Sequence, residues 1–422
     1  MTIPLRPQLR PLEIVPVGPK EGLLLTLRDP EGFGRMLVMP YGAVLLAALM
    51  DGQHTLSEIQ AAFQKQTGVP APLADLERII RRLDEAYLLA GERFDGYRRE
   101  QIEAYRNNPV RRAAHAGGAY ADDPQALREQ LAGLFTCDGG PGAPDCDPVP
   151  GGPRLCGLLS PHIDLRRGGP AFAWAYKQVA ERGDADLLVI FGTAHNPMQQ
   201  LFCVSRKDFD TPLGVVRTDQ RFIDRLAGHL ASSVAGQQVD LFEDELVHRF
   251  EHSIEFQATF LQYVLGGKRE FRIVPVLTGS FQEFLADGTQ PDDSPEVQAF
   301  LAALRATVDE HPGSVCYIAG ADFAHIGQRF GDEWLLDEQR LAQQSADDHR
   351  LLEAVCHGDA AGFFSQVAQQ EDRARICGLS PTYVMLKALG PTRGELLSYD
   401  QAVEPDGTAC VSFASVAFYR DH

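Results

Sequence analysis

The sequence predicts an α/β fold, a sheet covered by helices on both faces, preceded by a separate small N-terminal module. Three observations carry this reading. Short apolar runs at about 155–159, 187–191, 272–277, 314–319 and 411–418 alternate with helical stretches near 170–182, 219–230, 251–265, 294–309, 337–357 and 380–389, the pattern of strands and covering helices. The run Leu187-Leu188-Val189-Ile190-Phe191 shows no polar alternation, so both faces of that strand must be buried. The first 95 residues carry strand and helix signals of their own.

The whole chain sets bounds on function. Its 422 residues exceed what one core holds and imply two or three domains. A net charge of −19 argues against nucleic acid or an anionic membrane surface as partner, because phosphate contact needs clustered cations. No run of about 18 uncharged apolar residues offers a membrane span, and residues 1–10 lack a secretory apolar core, so a cytoplasmic location is expected. Of eight cysteines, Cys156, Cys203, Cys316 and Cys410 lie in apolar runs where a thiol behaves as a small hydrophobe.

In chain order, Gly22–Leu27 and Arg35–Met39 read as two strands around the Asp29-Pro30 turn, followed by helices at about 41–50, 56–67 and 72–89. Thr55 and Glu58 form a capping box at the start of the second helix. The stretch Leu49-Met50-Asp51-Gly52-Gln53-His54-Thr55-Leu56-Ser57-Glu58-Ile59, with Leu83-Asp84-Glu85-Ala86-Tyr87-Leu88-Leu89 after it, resembles the PqqD-like winged-helix fold, which implies a module, residues 1–95, that docks peptides for radical S-adenosylmethionine enzymes. A purely structural module is the other reading. With 10 Lys/Arg against 12 Asp/Glu, these residues offer no basic face for DNA. Residues 96–114 read as an Arg-rich connection, with the second domain at 115–422. Residues 136–153 form a Gly/Pro loop whose Cys137 and Cys146 could be free, chelating or disulfide-bonded.

The chemistry collects at strand ends. His162 and Asp164 follow the run Leu155–Pro161, His195 follows Leu187–Ala194, and Asp322 and His325 follow Val315–Gly320. Ligands in open α/β sheets bind outside the carboxyl ends of parallel strands, so these groups describe one convergent site, read as a metal centre. In the helix that opens at Glu251, His252 and Glu255 are three residues apart and can meet at one site. Acidic Glu251 suits the positive end of that helix dipole. Cys377 precedes a helix in which Ser380 is expected as N-cap and Pro381 as the first residue, a placement that lowers a thiol pKa and favours the thiolate. His54, His229, His311, His349 and His357 have no such setting and read as structural.

Six motifs in order, SPHIDLRRGG around His162, FGTAHNP around His195, TPLG at 211–214, EHSIEFQ at 251–257, GADFAHIG at 320–327 and CGLSP at 377–381, resemble the Memo family, in particular system protein B of the AmmeMemoRadiSam group. The resemblance implies a core like that of class III extradiol dioxygenases. It also implies a metal held by two histidines and a cysteine, here His162, His195 and Cys377, with Asp322, His325 and His252 as pocket or acid/base groups. Arg166-Arg167 after His-Ile-Asp, and Ala-His-Asn around His195, depart from the eukaryotic members and leave the substrate open. Two imidazoles and a thiolate leave a divalent metal with open positions and suit iron or copper as well as zinc. The resulting expectation is a non-haem metal-dependent oxidoreductase that works with a radical S-adenosylmethionine partner and a peptide. The alternative is a metal-binding scaffold without turnover.

Overall fold

In the computed structural model of the chain, residues 3–17, 24–145, 153–233 and 239–420 are described. Gly22 and Leu23 of the first expected strand, and Cys146 of the Gly/Pro loop, lie outside them. Contacts divide the chain into two compact units, Met1–Asn108 and Pro109–His422.

The first unit is an antiparallel meander, β1 (Glu13–Val17), β2 (Leu24–Arg28) and β3 (Leu37–Pro40), followed by α1 (Tyr41–Ala48), α2 (Leu56–Thr67), α3 (Leu73–Glu85) and α4 (Glu92–Asn107). Its core gathers Leu25 and Leu27 from β2, Met39 from β3, Leu46 from α1, Ile59 from α2 and Leu83 from α3. Each is the inward position of an alternating or 3.6-residue pattern. The capping box is present: Thr55 accepts from the Glu58 N–H, while the Thr55 N–H donates to Glu58 at 2.8 Å. Much of the stretch read as a connection is α4.

The second unit runs β4 (Val110–Arg111), α5 (Pro124–Thr136), β5 (Arg154–Ser160), α6 (Leu165–Arg182), β6 (Leu187–Thr193), β7 (Phe202–Val204), β8 (Asp208–Thr211), β9 (Gly214–Val216), α7 (Gln220–Ser233) and α8 (His252–Leu265). It continues with β10 (Arg272–Thr278), α9 (Gln282–Asp287), α10 (Pro295–Asp309), β11 (Val315–Gly320), β12 (His325–Ile326), α11 (Glu338–Cys356), α12 (Ala360–Gln369), α13 (Leu379–Leu389), β13 (Arg393–Val403) and β14 (Cys410–Arg420). The main sheet has the order β12-β14-β5-β11-β6-β10-β7, with β13 paired to β14. Its centre, β5-β11-β6-β10, is parallel, and β14 and β7 flank it antiparallel. The sheet is therefore mixed.

Every residue of β6 is buried, and its side chains alternate between two cores. Val189 and Phe191 pack with α7, α10 and α13, while Leu188 and Ile190 pack with α6 and α8. This is the two-faced burial that an unbroken apolar run requires. The 201–218 stretch supplies β7 and the β8–β9 hairpin, whose turn is held by Thr211 Oγ1 donating to the Gly214 carbonyl at 2.7 Å. No helix among the described residues is long and apolar enough to cross a membrane.

Candidate metal centre

The parallel strands deliver two imidazoles to one rim, because β5 and β6 both end two residues before a histidine, His162 and His195. Cys377 comes from the loop ahead of α13. The ligand atoms of His162, His195 and Cys377 lie within 4.8 Å of one another. Cys377 Sγ is 3.2 Å from His162 Nε2. The histidine rings are 5.0 Å apart, nearly perpendicular.

Each imidazole is turned by a partner on its far side. His162 Nδ1 faces the Gly320 carbonyl at 2.9 Å, so it carries the proton and leaves Nε2 as a lone pair toward the thiol. His195 Nδ1 lies 3.0 Å from both oxygens of Glu251, which likewise leaves Nε2 to the cluster. Glu251 caps α8. Its carboxylate also accepts the backbone N–H groups of His195 at 2.9 Å, His252 at 2.8 Å and Ser253 at 3.0 Å. His252 Nδ1 stands 3.2 Å from the same group, and its ring stacks on His195 at 4.7 Å. Asp322 accepts the His162 backbone N–H at 2.9 Å and has its other oxygen 3.6 Å from His162 Nε2. His325 opens β12 with Nδ1 3.2 Å from the Phe323 carbonyl.

Burial sets the charge states. Desolvation holds His162, His252 and His325 below the ordinary imidazole range, so all three are neutral near pH 7, the form that binds metal. Glu251 goes the other way. Burial alone would raise its carboxyl, but His195, His252 and the backbone donors outweigh it and keep the group ionised. The thiol differs from the sequence expectation of a lowered pKa: burial, with Asp322 and Glu251 nearby, pushes Cys377 well above the usual value. A cation that binds Sγ must therefore displace a proton.

Two local readings are corrected. The α13 N-cap is Gly378, without a side-chain cap bond, and Ser380 lies inside the helix with its hydroxyl 3.0 Å from that of Thr278. Glu255 does not meet His252. It is buried against Arg111 and the Tyr120 hydroxyl, and accepts the N–H groups of Ala114 at 3.0 Å and His115 at 2.9 Å. The residue that sequence reasoning undervalued is Glu251, whose signal was a carboxylate directly ahead of a histidine at a helix start.

Beside the cluster opens a cavity of about 420 Å³, lined among others by Thr193, His195, Phe281, Asp372, Cys377 and Ser380. The loop that brings Cys377 there holds Glu371, Asp372 and Arg375 at φ of 53°, 43° and 51°, left-handed values that cost non-glycine residues energy. It is pinned by Asp372, which accepts the Ile376 N–H at 2.8 Å, and by Arg375, which donates to Asp332 at 2.7 Å.

Fold and site together define a mixed α/β protein with a two-histidine, one-cysteine candidate metal centre at the carboxyl rim of a parallel core. The family model described as Memo-like protein matches residues 111–417, and the chain belongs to that family. A MEMO1 family protein of Aquifex aeolicus is 27% identical over 418 residues, covering 98% of this chain and all of its own length. One from Methanopyrus kandleri is 30% identical over 318 residues, 74% of this chain and 99% of that protein. An uncharacterized Escherichia coli K12 protein of known structure aligns over 63% of this chain and 99% of its own at a TM-score of 0.35 and 13% identity.

Proposed function

We propose that this chain is a metal-dependent oxidoreductase in which His162, His195 and Cys377 hold an iron or copper ion. The observation that carries the reading is the convergence of two imidazoles and a thiol within 4.8 Å at the mouth of a cavity. Such an ion would supply Lewis-acid and one-electron redox chemistry at the positions that three protein ligands leave open. The chain's own groups do the rest. Glu251 and the Gly320 carbonyl orient the two imidazoles, and Asp322 holds the His162 backbone in place. His252 and His325, neutral and with Nδ1 turned to Glu251 and to the Phe323 carbonyl, can each take a proton at Nε2. The match of the six motifs to the AmmeMemoRadiSam group supports a radical S-adenosylmethionine enzyme as partner, and the PqqD-like resemblance of the first unit supports a peptide as the docked species.

The test is metal content after anaerobic purification, with absorption spectra of copper- and cobalt-loaded protein. Cys377→Ser and His195→Ala should each lower stoichiometry, and Cys377→Ser should remove the thiolate-to-metal band while leaving the circular dichroism spectrum unchanged. Equal metal content and an unchanged band in the serine variant would overturn the assignment.

A further inference from the structure

The parallel core has a second end. At the amino ends of β5 and β11, beside α10 and the last turn of α13, lies a cavity of about 780 Å³, within the range of small-molecule sites. A seven-residue strand such as β5 separates it from the His–His–Cys cluster by roughly 20 Å. Its walls are apolar where Cys156, Leu304 and Leu389 line them, each at most 5% exposed. Its charged lining holds one more guanidinium than carboxylate.

Tyr317 lines this cavity at 5% exposure, and its hydroxyl makes no hydrogen bond among the described residues. The ring is buried while the hydroxyl opens into the cavity, where it is available as a donor to a bound molecule. Burial pushes the phenol up to about 12 despite Arg420 pulling the other way, so it remains a donor at neutral pH. Arg154 and Arg420 are cross-strand neighbours on β5 and β14, a like-charge pair of which only Arg154 has an ion-pair partner among the described residues. Arg154 pairs with Asp184, while Arg420 donates to the Leu389 carbonyl at 3.0 Å. Arg305, exposed on α10, forms no ion pair among the described residues. Three guanidiniums therefore face two carboxylates, Asp184 and Asp309, in a chain whose net charge is −19.

We propose that this cavity binds a small organic oxyanion on an apolar body, a carboxylate or a phosphate monoester. Arg305, Arg420 and the Tyr317 hydroxyl hold the head group, and Leu304 and Leu389 cover the body. Guanidinium–oxyanion hydrogen bonds supply the orientation and the apolar walls supply the burial. The site is separate from the metal centre and does not rest on the metal reading.

Isothermal titration of the full chain with octanoate, octyl phosphate and 1-octanol tests this. One octanoate or octyl phosphate per chain should bind, at least about tenfold more tightly than 1-octanol, since a hydrogen bond to a charged group is worth about that factor. The tighter of the two anions identifies the head group. Tyr317→Phe, Arg420→Ala and the surface variant Arg305→Ala should each weaken binding about fivefold or more, and Cys377→Ser should leave it unchanged. Equal affinity for 1-octanol, wild-type affinity in the arginine variants, or loss of binding in Cys377→Ser would overturn the proposal.

Discussion

Glu251 contributes no atom to the His–His–Cys set, yet its buried carboxylate determines where two of the nearby imidazoles point. Five donors converge on it: the Nδ1 atoms of His195 and His252 and three backbone N–H groups. Glu251→Gln keeps the shape but turns one acceptor oxygen into an NH₂ that faces donors. Metal affinity should then fall about 10- to 100-fold, the usual cost of losing a carboxylate behind a ligand histidine, with circular dichroism unchanged. Competition with a chromophoric chelator measures it, and wild-type affinity would show that the carboxylate is only a helix cap. The role was partly readable in advance. A glutamate at a helix start announces a cap, but nothing in the local sequence says that His195, 56 residues earlier, will donate to it.

Among the elements, α13 and α8 depend on close approaches that a single atom would disturb. A Cβ at Gly378 would stand 2.3 Å from the Asp322 carbonyl and 2.7 Å from Ala321 Cβ, so Gly378→Ala must push the start of α13, and with it Cys377, away from β11. The overpacking should cost about 1–3 kcal/mol and lower metal content as well. Gly228→Ala, in the open interior of α7 with nothing within 4 Å, should instead stabilise by up to about 1 kcal/mol. Denaturant melts of both variants decide the point, and equal melts would remove the claim of a backbone contact. Arg111 ties the two-residue strand β4 to α8. It is fully buried, pairs with Glu255, and donates to the carbonyls of His248 and Glu251, each at 2.8 Å. Arg111→Met strands a buried carboxylate and should cost about 3–5 kcal/mol by chemical denaturation, whereas a loss under 1 kcal/mol would mark the pair as dispensable. The pairing was hidden from sequence because the partners are 144 residues apart.

At the scale of the molecule, the unit Met1–Asn108 has its own core and should melt cooperatively when expressed alone. Its acid limit follows from Asp29. Burial would raise this carboxyl, but the Arg10 guanidinium at 2.9 Å and the N–H groups of Glu31 and Gly34 hold it below 3.8. A depressed folded value means the stabilisation is present above the unfolded pKa and is lost as pH falls through the folded one. The fragment should therefore lose stability below about pH 4, and Asp29→Asn should flatten that dependence. A featureless melt of the fragment would sink the independent unit, while an unchanged pH profile in Asp29→Asn would remove only the linkage.

What the sequence by itself determined is what local patterning encodes. Apolar runs placed β5, β6, β10, β11 and β14 within a residue or two, and the chain positions just past β5, β6 and β11 marked His162, His195 and Asp322 as rim residues. Such signals need only neighbours along the chain, because a strand buried on both faces must be apolar throughout. The half-exposed β13 and the short α12 carried no comparable signal. Tertiary structure alone decided the strand order, the antiparallel flanks, the choice of Arg111 over His252 as partner for Glu255, and the raising of the Cys377 thiol that its place before a helix was expected to lower. The physical reason is the same in each case. Desolvation and pairing depend on groups that meet only after the sheet has closed, and a thiol buried beside Asp322 and Glu251 feels them more strongly than the helix end that follows it.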